Sequence, residues 1–328
     1  MTSRYIRKGI KLLKIYSQDS RNDILAYSTN LKLDDLSNKM NRIMENFLVM
    51  PVDMDPSGIV SKVRYLVKSR DDYMKKQIQT LAPNISEVEQ SRLQTLFEIV
   101  TTLHLYYKIV NHLYLTAKKQ KNFPLILPLQ MMLPFILQET KALRQSVPAF
   151  RDGQPIGDGI GPLVVGQLMF GTHHRLVAEN TVLATKDVQD RHLYLLKARG
   201  PHSTVGQLGD AISNIVTKNK IDLIITVDAA LKLEGEEPAQ IAQGFGVAMG
   251  GIGTERFQIE EISTEHSIPI RVIVVKQSIR DAMILMSEKI SNQVDYVQAE
   301  IFEMISEDTS NGDSVLIVGV GNTSGVAQ

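Results

Sequence analysis

The segment from Ile221 to Gly253, IDLIITVDAALKLEGEEPAQIAQGFGVAMGGIG, constrains the fold of this chain more than any other stretch. Residues 223–227 form an uninterrupted apolar or β-branched run that leads directly into Asp228, after which glycines and carboxylates dominate. Such a run is typical of a buried strand in a parallel sheet. Because ligands of open α/β sheets bind beyond the carboxyl ends of the strands, Asp228 marks the predicted site.

The C-terminal half alternates between short β-rich runs and helical segments. The predicted strands cover residues 176–185, 192–197, 221–228, 270–276 and 314–319, and the predicted helical segments cover 159–170, 204–218, 259–266 and 279–307. This alternation is typical of βαβ units. It predicts a three-layer α/β/α domain over residues 151–328 with a mostly parallel sheet, of the phosphorylase/hydrolase-like type.

The N-terminal half shows the three- and four-residue apolar spacing of helices. A chain of 328 residues is long enough for two domains, since a single core stops growing at about 250 to 300 residues. We therefore expect a basic amphipathic helical segment over residues 1–50, a helical domain over 51–150, and a linker near 148–153 that leads into the α/β domain.

Local signals place several of these helices. A helix is predicted over 34–50, another starts in Asp53–Ser57, where Pro56 suits the first helical position, and a third starts at Ser86, where Glu89 completes a capping box. The most apolar run, Phe123 to Leu137, contains three prolines and is shorter than the roughly 20 residues that span a bilayer. It predicts a buried, kinked helix at the centre of the domain.

The charge is distributed unevenly along the chain. Residues 1–122 carry 20 Lys and Arg against 12 Asp and Glu, and the remainder carries 16 against 24. Within residues 1–15, five cations alternate with apolar residues, which indicates a short helix that lies on an anionic membrane surface or packs on a partner helix. A solvated basic face is the other interpretation. Few aromatics accompany these cations, so nucleic-acid binding is disfavoured.

The chain contains no cysteine, which excludes disulfides, a thiolate nucleophile and a thiolate zinc site. The first fifteen residues are basic throughout and lack the apolar core of a signal peptide. We therefore expect a cytoplasmic protein, with peripheral membrane attachment and a homo-oligomer both left open.

Polar residues follow each predicted strand of the C-terminal half, where the ends of parallel strands share one edge. The residues expected to converge there are Lys197, His202, Asp228, Lys232, Glu234, Glu236, Lys276 and Asn322. Charges at the mouth of an apolar sheet are costly to desolvate without partners. This edge is therefore the candidate site, with Lys197, Lys232 and Glu234 expected to orient a substrate.

Asp158 and Asp228 are the principal candidates for chemistry. Two such carboxylates either hold a divalent cation or share a proton for acid/base work. The alternative is that Asp158 caps the helix after Gly159 and Asp228 orders a turn. A dinucleotide site is disfavoured, because Gly244 and Gly246 follow no predicted strand, and no Gly-x-Ser-x-Gly elbow is present.

Several motifs resemble an archaeal family of conserved proteins of unknown function. They are PIGDGIGPLVVGQLM, KARGPHSTVGQLGDAI, VDAALKLEGEEPAQIAQGFGVAMGGIG, VLIVGVGNTSGV and DMDPSGI. The resemblance extends from about Pro51 onward and implies no specific activity.

A more distant resemblance links the C-terminal domain to hydrogenase-maturation and spore-protein endopeptidases. It rests on Asp158-Gly159-Ile160-Gly161 and on Val227-Asp228-Ala229, which look like the two acidic motifs of those families, and on Gly319-Val320-Gly321-Asn322. In those families the Gly-x-Gly-Asn strand end precedes the first acidic motif, so the resemblance implies a circular permutation that brings Asn322 near Asp158.

The resemblance also implies that Asp158 and Asp228 take the acidic metal or catalytic positions. His202 is then the candidate for a third metal ligand, and Gly319, Gly321 and Asn322 are the candidate cofactor-binding residues. The predicted function is hydrolysis, of a peptide or a small ligand, with a divalent cation or acid/base chemistry at the two aspartates. The alternative is a non-catalytic ligand-binding or scaffold protein at the membrane surface.

Overall fold

The computed structural model of the protein describes residues 2–31, 36–45, 58–121, 123–250 and 253–327. The chain divides into two compact units. The first comprises residues 1–49 and 69–152, and the second comprises residues 50–68 and 153–328. The predicted helix start at Asp53–Ser57 lies outside the described residues.

Five helices form the described part of the N-terminal half. They are α1 (Thr2–Asn30), α2 (Leu36–Met44), α3 (Ile59–Leu81), α4 (Glu87–Lys119) and α5 (Phe123–Asp152). The predicted capping box at the start of α4 is confirmed, because the Ser86 hydroxyl accepts the N–H of Glu89 and the Glu89 carboxylate accepts the N–H of Ser86. This reciprocal pair satisfies two of the unpaired amides of the helix end.

The prediction for the apolar run at 123–137 is only partly correct. The run is helical and lies in α5 with prolines at 128 and 134, but only one of its faces is buried, at Leu129 and Leu133. Its other face carries Leu127, Met131, Met132 and Phe135, whose exposed fractions lie between 59% and 73%. The residues predicted as a linker are helical through Asp152, and the division between the two units follows at Gly153.

The core of the first unit joins α1, α4 and α5. Ile6 and Leu13 of α1 pack with Val110 and Tyr114 of α4 and with residues 129 and 133 of α5. The apolar stripe of α1 is therefore buried against neighbouring helices, which is the second of the two roles that its sequence pattern allowed. In the part of the chain that the structure describes, no helix combines the length and apolarity that crossing a bilayer requires.

The second unit is built on a seven-stranded sheet with the order β1-β2-β3-β7-β4-β6-β5. The strands are β1 (His174–Ala178), β2 (Thr181–Val188), β3 (Arg191–Ala198), β4 (Leu223–Leu231), β5 (Ile241–Phe245), β6 (Ile270–Gln277) and β7 (Ser314–Gly319). The central pairs β3–β7, β7–β4 and β4–β6 are parallel, and the outer pairs β1–β2, β2–β3 and β5–β6 are antiparallel. The predicted parallel centre is confirmed, within a mixed sheet.

Helices cover both faces of this sheet, as the predicted α/β fold requires. They are α6 (Ile160–Leu168), α7 (Leu208–Val216), α8 (Thr254–His266), α9 (Ile279–Met283), α10 (Glu288–Ser291) and α11 (Val294–Asp308). One core cluster joins α6 and α11 to alternate residues of the central strands, such as Ile225 and Val227. A second cluster joins α7 and α8 to the other set of alternating strand residues, such as Ile224, whose side chains lie on the opposite face of the sheet.

Three local predictions differ from the structure. The run at 176–185 is a hairpin, because Asn180 adopts a positive φ and turns the chain. The segment 241–245, for which no strand is predicted, is an edge strand. The helix predicted over 279–307 is interrupted between residues 283 and 288 and again before Val294. The first interruption lets Leu285 pair with Ile156.

Candidate functional site

The site lies where β7 separates from β4. The parallel ladder between these strands runs to the pair Val227 and Gly319, and its last hydrogen bond joins the Val320 N–H to the Val227 C=O at 2.8 Å. In a continuous parallel ladder the next rung would join Ala229 N–H to the Val320 C=O, and the Asn322 N–H to the Ala229 C=O. The structure forms neither of these bonds.

Instead, a carboxylate takes each of the two amides. The N–H of Ala229 donates to Oδ1 of Asp228 at 2.7 Å, and the N–H of Asn322 donates to Oδ2 of Asp158 at 2.8 Å. The two aspartates therefore replace one rung of the sheet. They are 70 positions apart in sequence, yet both stand at the same opening between β4 and β7.

Asp158 reaches this opening from a 3₁₀ turn, Gly157–Gly159, that leads into α6. The amide of Gln277, at the end of β6, donates to the C=O of Gly157 at 2.9 Å inside the core. One turn further along, Gly161 lies so close to the C=O groups of Val227 and Val320 that a Cβ there would collide with backbone. The turn is thus held from β6 on one side and packed on the strand ends on the other.

Asp228 lies within β4 rather than beyond it, because β4 continues to Leu231 beside β6. Strand alternation places its side chain on the face that carries Thr226. Asp228 is 5% exposed, whereas Asp158 keeps partial exposure. Asp158 is therefore the more accessible of the two carboxylates.

Burial and mutual repulsion control the protonation of the pair. Burial raises the pKa of Asp228 to about 8, with the neighbouring Asp158 carboxylate as the second cause and the Ala229 N–H opposing the shift. Burial also raises the pKa of Asp158, against the hydrogen bond from Asn322. Burial therefore favours the protonated form of Asp228 at neutral pH, and the negative charge of Asp158 adds to that preference.

The glycines predicted to bind a cofactor pack against the chain itself. A Cβ on Gly319 would lie 2.6 Å from the C=O of Gly161. Gly321 has a φ of +133° and lies against the backbone of Asp158. These glycines allow the close approach of β7 and α6 that positions Asp158, and this packing gives no support to their predicted role in cofactor binding.

Lys197 is at the end of β3, paired with Gly319, and is fully buried. Its Nζ donates to the C=O of Ala198, and its side chain passes Gly166 of α6. Burial lowers the pKa of Lys197 to about 8, and neither aspartate contributes to that shift. Its burial does not fit the predicted role of orienting a substrate.

Lys232 and Glu234 belong to the loop after β4. The Nζ of Lys232 donates to the C=O of Leu233 at 3.3 Å, and Glu234 is exposed. In the same loop Glu236 forms an ion pair with Lys276 of β6. The loop therefore presents charged side chains beyond the strand ends, but no contact of Lys232 or Glu234 with the aspartate pair is observed among the described residues.

His202 is buried in the loop that follows β3. Its C=O accepts the hydroxyl of Thr323, which also bonds the C=O of Thr204. Across the residues that the structure describes, no three His, Asp or Glu side chains form a group that could hold a metal ion. His202 therefore does not join Asp158 and Asp228 in a metal-binding group.

Two residues that shape the site are not identified by the sequence pattern. In the sequence, Gln277 stands in the polar stretch after a predicted strand. In the structure it is fully buried, and a buried amide requires a hydrogen-bond partner, which here is the C=O of Gly157. Thr323 follows the last strand, and its hydroxyl ties the terminal loop to residues 199–204. Only the fold brings these two loops together, so no local signal reveals the role of Thr323.

Comparison with known proteins gives one family and one distant relation. The model described as "Protein of unknown function (DUF1512) N-terminal domain" matches residues 1–153, and "Domain of unknown function (DUF1512) C-terminal" matches residues 156–327. Germination proteases from two Clostridium perfringens strains, SM101 and 13, are each 29% identical over 170 residues.

That alignment covers 49% of this chain and 50% of each protease, so the chain spans about half the length of these relatives. No solved structure matches the chain. The two family models together cover almost every residue. The chain therefore belongs to the DUF1512 family.

Proposed function

We propose that the second unit is a peptidase that uses Asp158 and Asp228 as an acid/base pair. The observation that carries the proposal is the missing rung between β4 and β7, where each carboxylate accepts a backbone N–H. Burial, with the neighbouring Asp158 carboxylate as the second cause, raises the pKa of Asp228 to about 8. The similarity to germination proteases supports a peptide as the substrate.

The chemistry follows from the different environments of the two groups. Asp158, the more exposed of the two carboxylates, acts in its ionised form as the general base that takes a proton from a water molecule. Asp228, protonated and buried, donates a hydrogen bond to the carbonyl oxygen of the scissile peptide. The water oxygen attacks the carbonyl carbon, the C–N bond breaks, and the proton on Asp158 passes to the leaving amine.

A resident divalent cation fits these residues poorly. Each carboxylate already accepts a backbone N–H, and the described residues supply no third acidic or histidine side chain for a cation. Hydrolytic metal sites use about three protein ligands. We therefore propose metal-free acid/base chemistry.

Cleavage of a complex peptide mixture tests this proposal. Peptides from a trypsin digest of whole-cell protein are incubated with the protein, and new termini are identified by mass spectrometry. We expect new termini with the unaltered protein, also in the presence of a chelator, and none with Asp158→Asn or Asp228→Asn. Asp295→Asn, an exposed carboxylate on α11, is the matched control. Loss of cleavage on chelation contradicts the acid/base mechanism, and equal cleavage by the aspartate variants contradicts the site.

We further propose that the first unit binds an anionic membrane surface. Five cations of α1 are exposed while the apolar stripe of that helix is buried, and the packed neighbour α5 exposes an apolar ridge at Leu127, Met131, Met132 and Phe135. Exposed apolar clusters beside cations are typical of peripheral membrane proteins.

Sedimentation with vesicles tests this second role. We expect co-sedimentation with phosphatidylserine-containing vesicles, weaker at high salt, and strongly reduced by Met131→Glu with Phe135→Glu. Tyr296→Glu, which replaces an exposed aromatic side chain of the second unit, serves as the control. Equal sedimentation of all three proteins contradicts the ridge as the contact surface.

A further inference from the structure

The edge of β4 that β7 leaves remains open beyond Val227. The C=O of Val227 accepts the Val320 N–H, so the backbone groups of residue 227 face β7. The N–H of Lys232 donates to the C=O of Gln277, so even-numbered residues face β6. By the alternation of a strand, the backbone groups of Ala229 and Leu231 face the side that β7 has left.

Three of the four backbone groups that Ala229 and Leu231 turn toward this edge are available for pairing. The Ala229 N–H is taken by Asp228. Within the described residues, no hydrogen-bond partner is present for the C=O of Ala229 or for the N–H and C=O of Leu231. The side chains of Leu231 and Leu233 are 62% and 71% exposed, so this end of β4 reaches solvent.

We propose that this edge binds the substrate as an extended polypeptide segment that takes the place of β7 beside Ala229 and Leu231. The segment donates an N–H to the C=O of Ala229 and accepts the N–H of Leu231. This inference rests on the proposed peptidase function for what happens after binding, whereas the binding itself is independent of cleavage.

The spacing of the open groups identifies the chemistry of the occupant. Ala229 and Leu231 are two residues apart along the strand, so their outward groups repeat at about 6.6 to 6.8 Å. An extended peptide backbone carries donors and acceptors at this repeat, and open strand edges pair with such segments. The two exposed leucines add apolar contact area for its side chains.

The geometry also restricts what the site cleaves. The bound segment would reach the aspartate pair at the point where the β4–β7 ladder ends, so the peptide bond next to Ala229 is the one presented to Asp228. A helix, or a strand paired on both sides, has no free backbone groups to offer the edge. The substrate class is therefore an unfolded or locally extended polypeptide.

Replacement of Leu231 tests the edge. Leu231→Pro removes the outward N–H without removing a bond to β6, whereas Leu231→Ala removes only the exposed side chain. Binding is measured by fluorescence anisotropy with fluorescein-labelled casein, an unfolded polypeptide, on the Asp228→Asn background so that cleavage does not interfere. We expect Leu231→Pro to weaken binding about tenfold or more and Leu231→Ala by about threefold or less. The proline variant loses one hydrogen bond to the bound segment and its ring obstructs the edge, whereas the alanine variant loses only apolar contact.

A second measurement covers the event that Leu231→Pro perturbs folding. Casein binding to the Asp228→Asn protein is expected to slow amide hydrogen exchange at residues 229–231. Absence of casein binding, unchanged exchange there, or equal affinity of the proline and alanine variants overturns the inference.

The outcomes for the edge and for the peptidase are distinguishable. If the protein cleaves peptides and the two Leu231 variants reduce cleavage equally, the peptidase proposal is supported and peptide binding at the β4 edge is contradicted. If Leu231→Pro weakens casein binding but the protein cleaves no peptide, binding at the β4 edge is supported and the peptidase proposal is contradicted.

Discussion

The backbone N–H of Asn322 donates to Oδ2 of Asp158 at 2.8 Å, although 164 positions of sequence separate the two residues. The bond exists because β7, the last of the described strands, inserts between β3 and β4 at the centre of the sheet. Its end then lies beside the turn that opens the domain. The endopeptidase resemblance implies a circular permutation that brings Asn322 near Asp158, and in the structure these two residues are hydrogen-bonded.

Asp228→Asn is expected to change how stability depends on pH. The folded-state pKa of Asp228, about 8, lies above its ordinary value of 3.8, so between these values the native state keeps a proton that the unfolded chain has lost. The free energy of unfolding therefore falls as pH rises through this interval. A tenfold change in proton affinity corresponds to about 1.4 kcal/mol, so the whole decrease in the free energy of unfolding amounts to several kcal/mol.

Thermal unfolding of both proteins from pH 5 to 9 measures this effect. The asparagine variant should lose clearly less stability over the range than the unaltered protein. Parallel curves for the two proteins would show that Asp228 titrates in the ordinary range.

Lys197→Met is expected to stabilise the protein. Burial lowers the pKa of Lys197 to about 8 from 10.5, so at neutral pH the native state holds a desolvated charge, and stability rises as pH increases from 8 to 10.5. Methionine has a similar volume without the charge, and we expect a gain of about 2 kcal/mol at pH 7. Chemical denaturation at pH 7 and pH 10 measures it, and a gain that does not shrink at pH 10 would assign the effect to packing instead.

Gly161→Ala should abolish cleavage and destabilise the second unit. An added Cβ would collide with the C=O groups of Val227 and Val320, which cannot yield without moving the strand ends away from α6. Gly250→Ala is the control, since no atom lies within 4 Å of its added Cβ. Urea denaturation and peptide cleavage are measured for both, and a Gly161→Ala protein with unaltered stability contradicts the described packing.

Gln277→Met should lower kcat more than it raises KM. The glutamine amide is fully buried and bonds the C=O of Gly157, so we expect it to act on the reaction through the position of Asp158. Loss of that bond loosens the turn, for which we expect a decrease in kcat of about tenfold or more. Gln293→Met, at a glutamine that bonds only its own local helix turn, is the control. An effect confined to KM would contradict a positioning role.

The sequence alone predicts the parts of the fold that depend on local residue patterns. Apolar runs locate the central strands, and the two aspartate motifs locate the residues that the structure brings together. The interrupted helix at 279–308 and the edge strand at 241–245 are not predicted because their form depends on tertiary pairing, at Leu285 with Ile156 and at β5 with β6. The burial of Lys197 is not evident from the sequence either, because the local pattern does not reveal that α6 covers this side chain.

The electrostatic coupling of Asp158 and Asp228 is tested most directly by NMR titration of the carboxyl carbons in protein labelled with ¹³C at aspartate. We expect Asp228 to titrate near pH 8 in the unaltered protein and at clearly lower pH in Asp158→Asn, because the neighbouring charge is then absent. A titration of Asp228 near pH 4, or a titration midpoint that is the same in Asp158→Asn, would contradict the electrostatic coupling of the two aspartates.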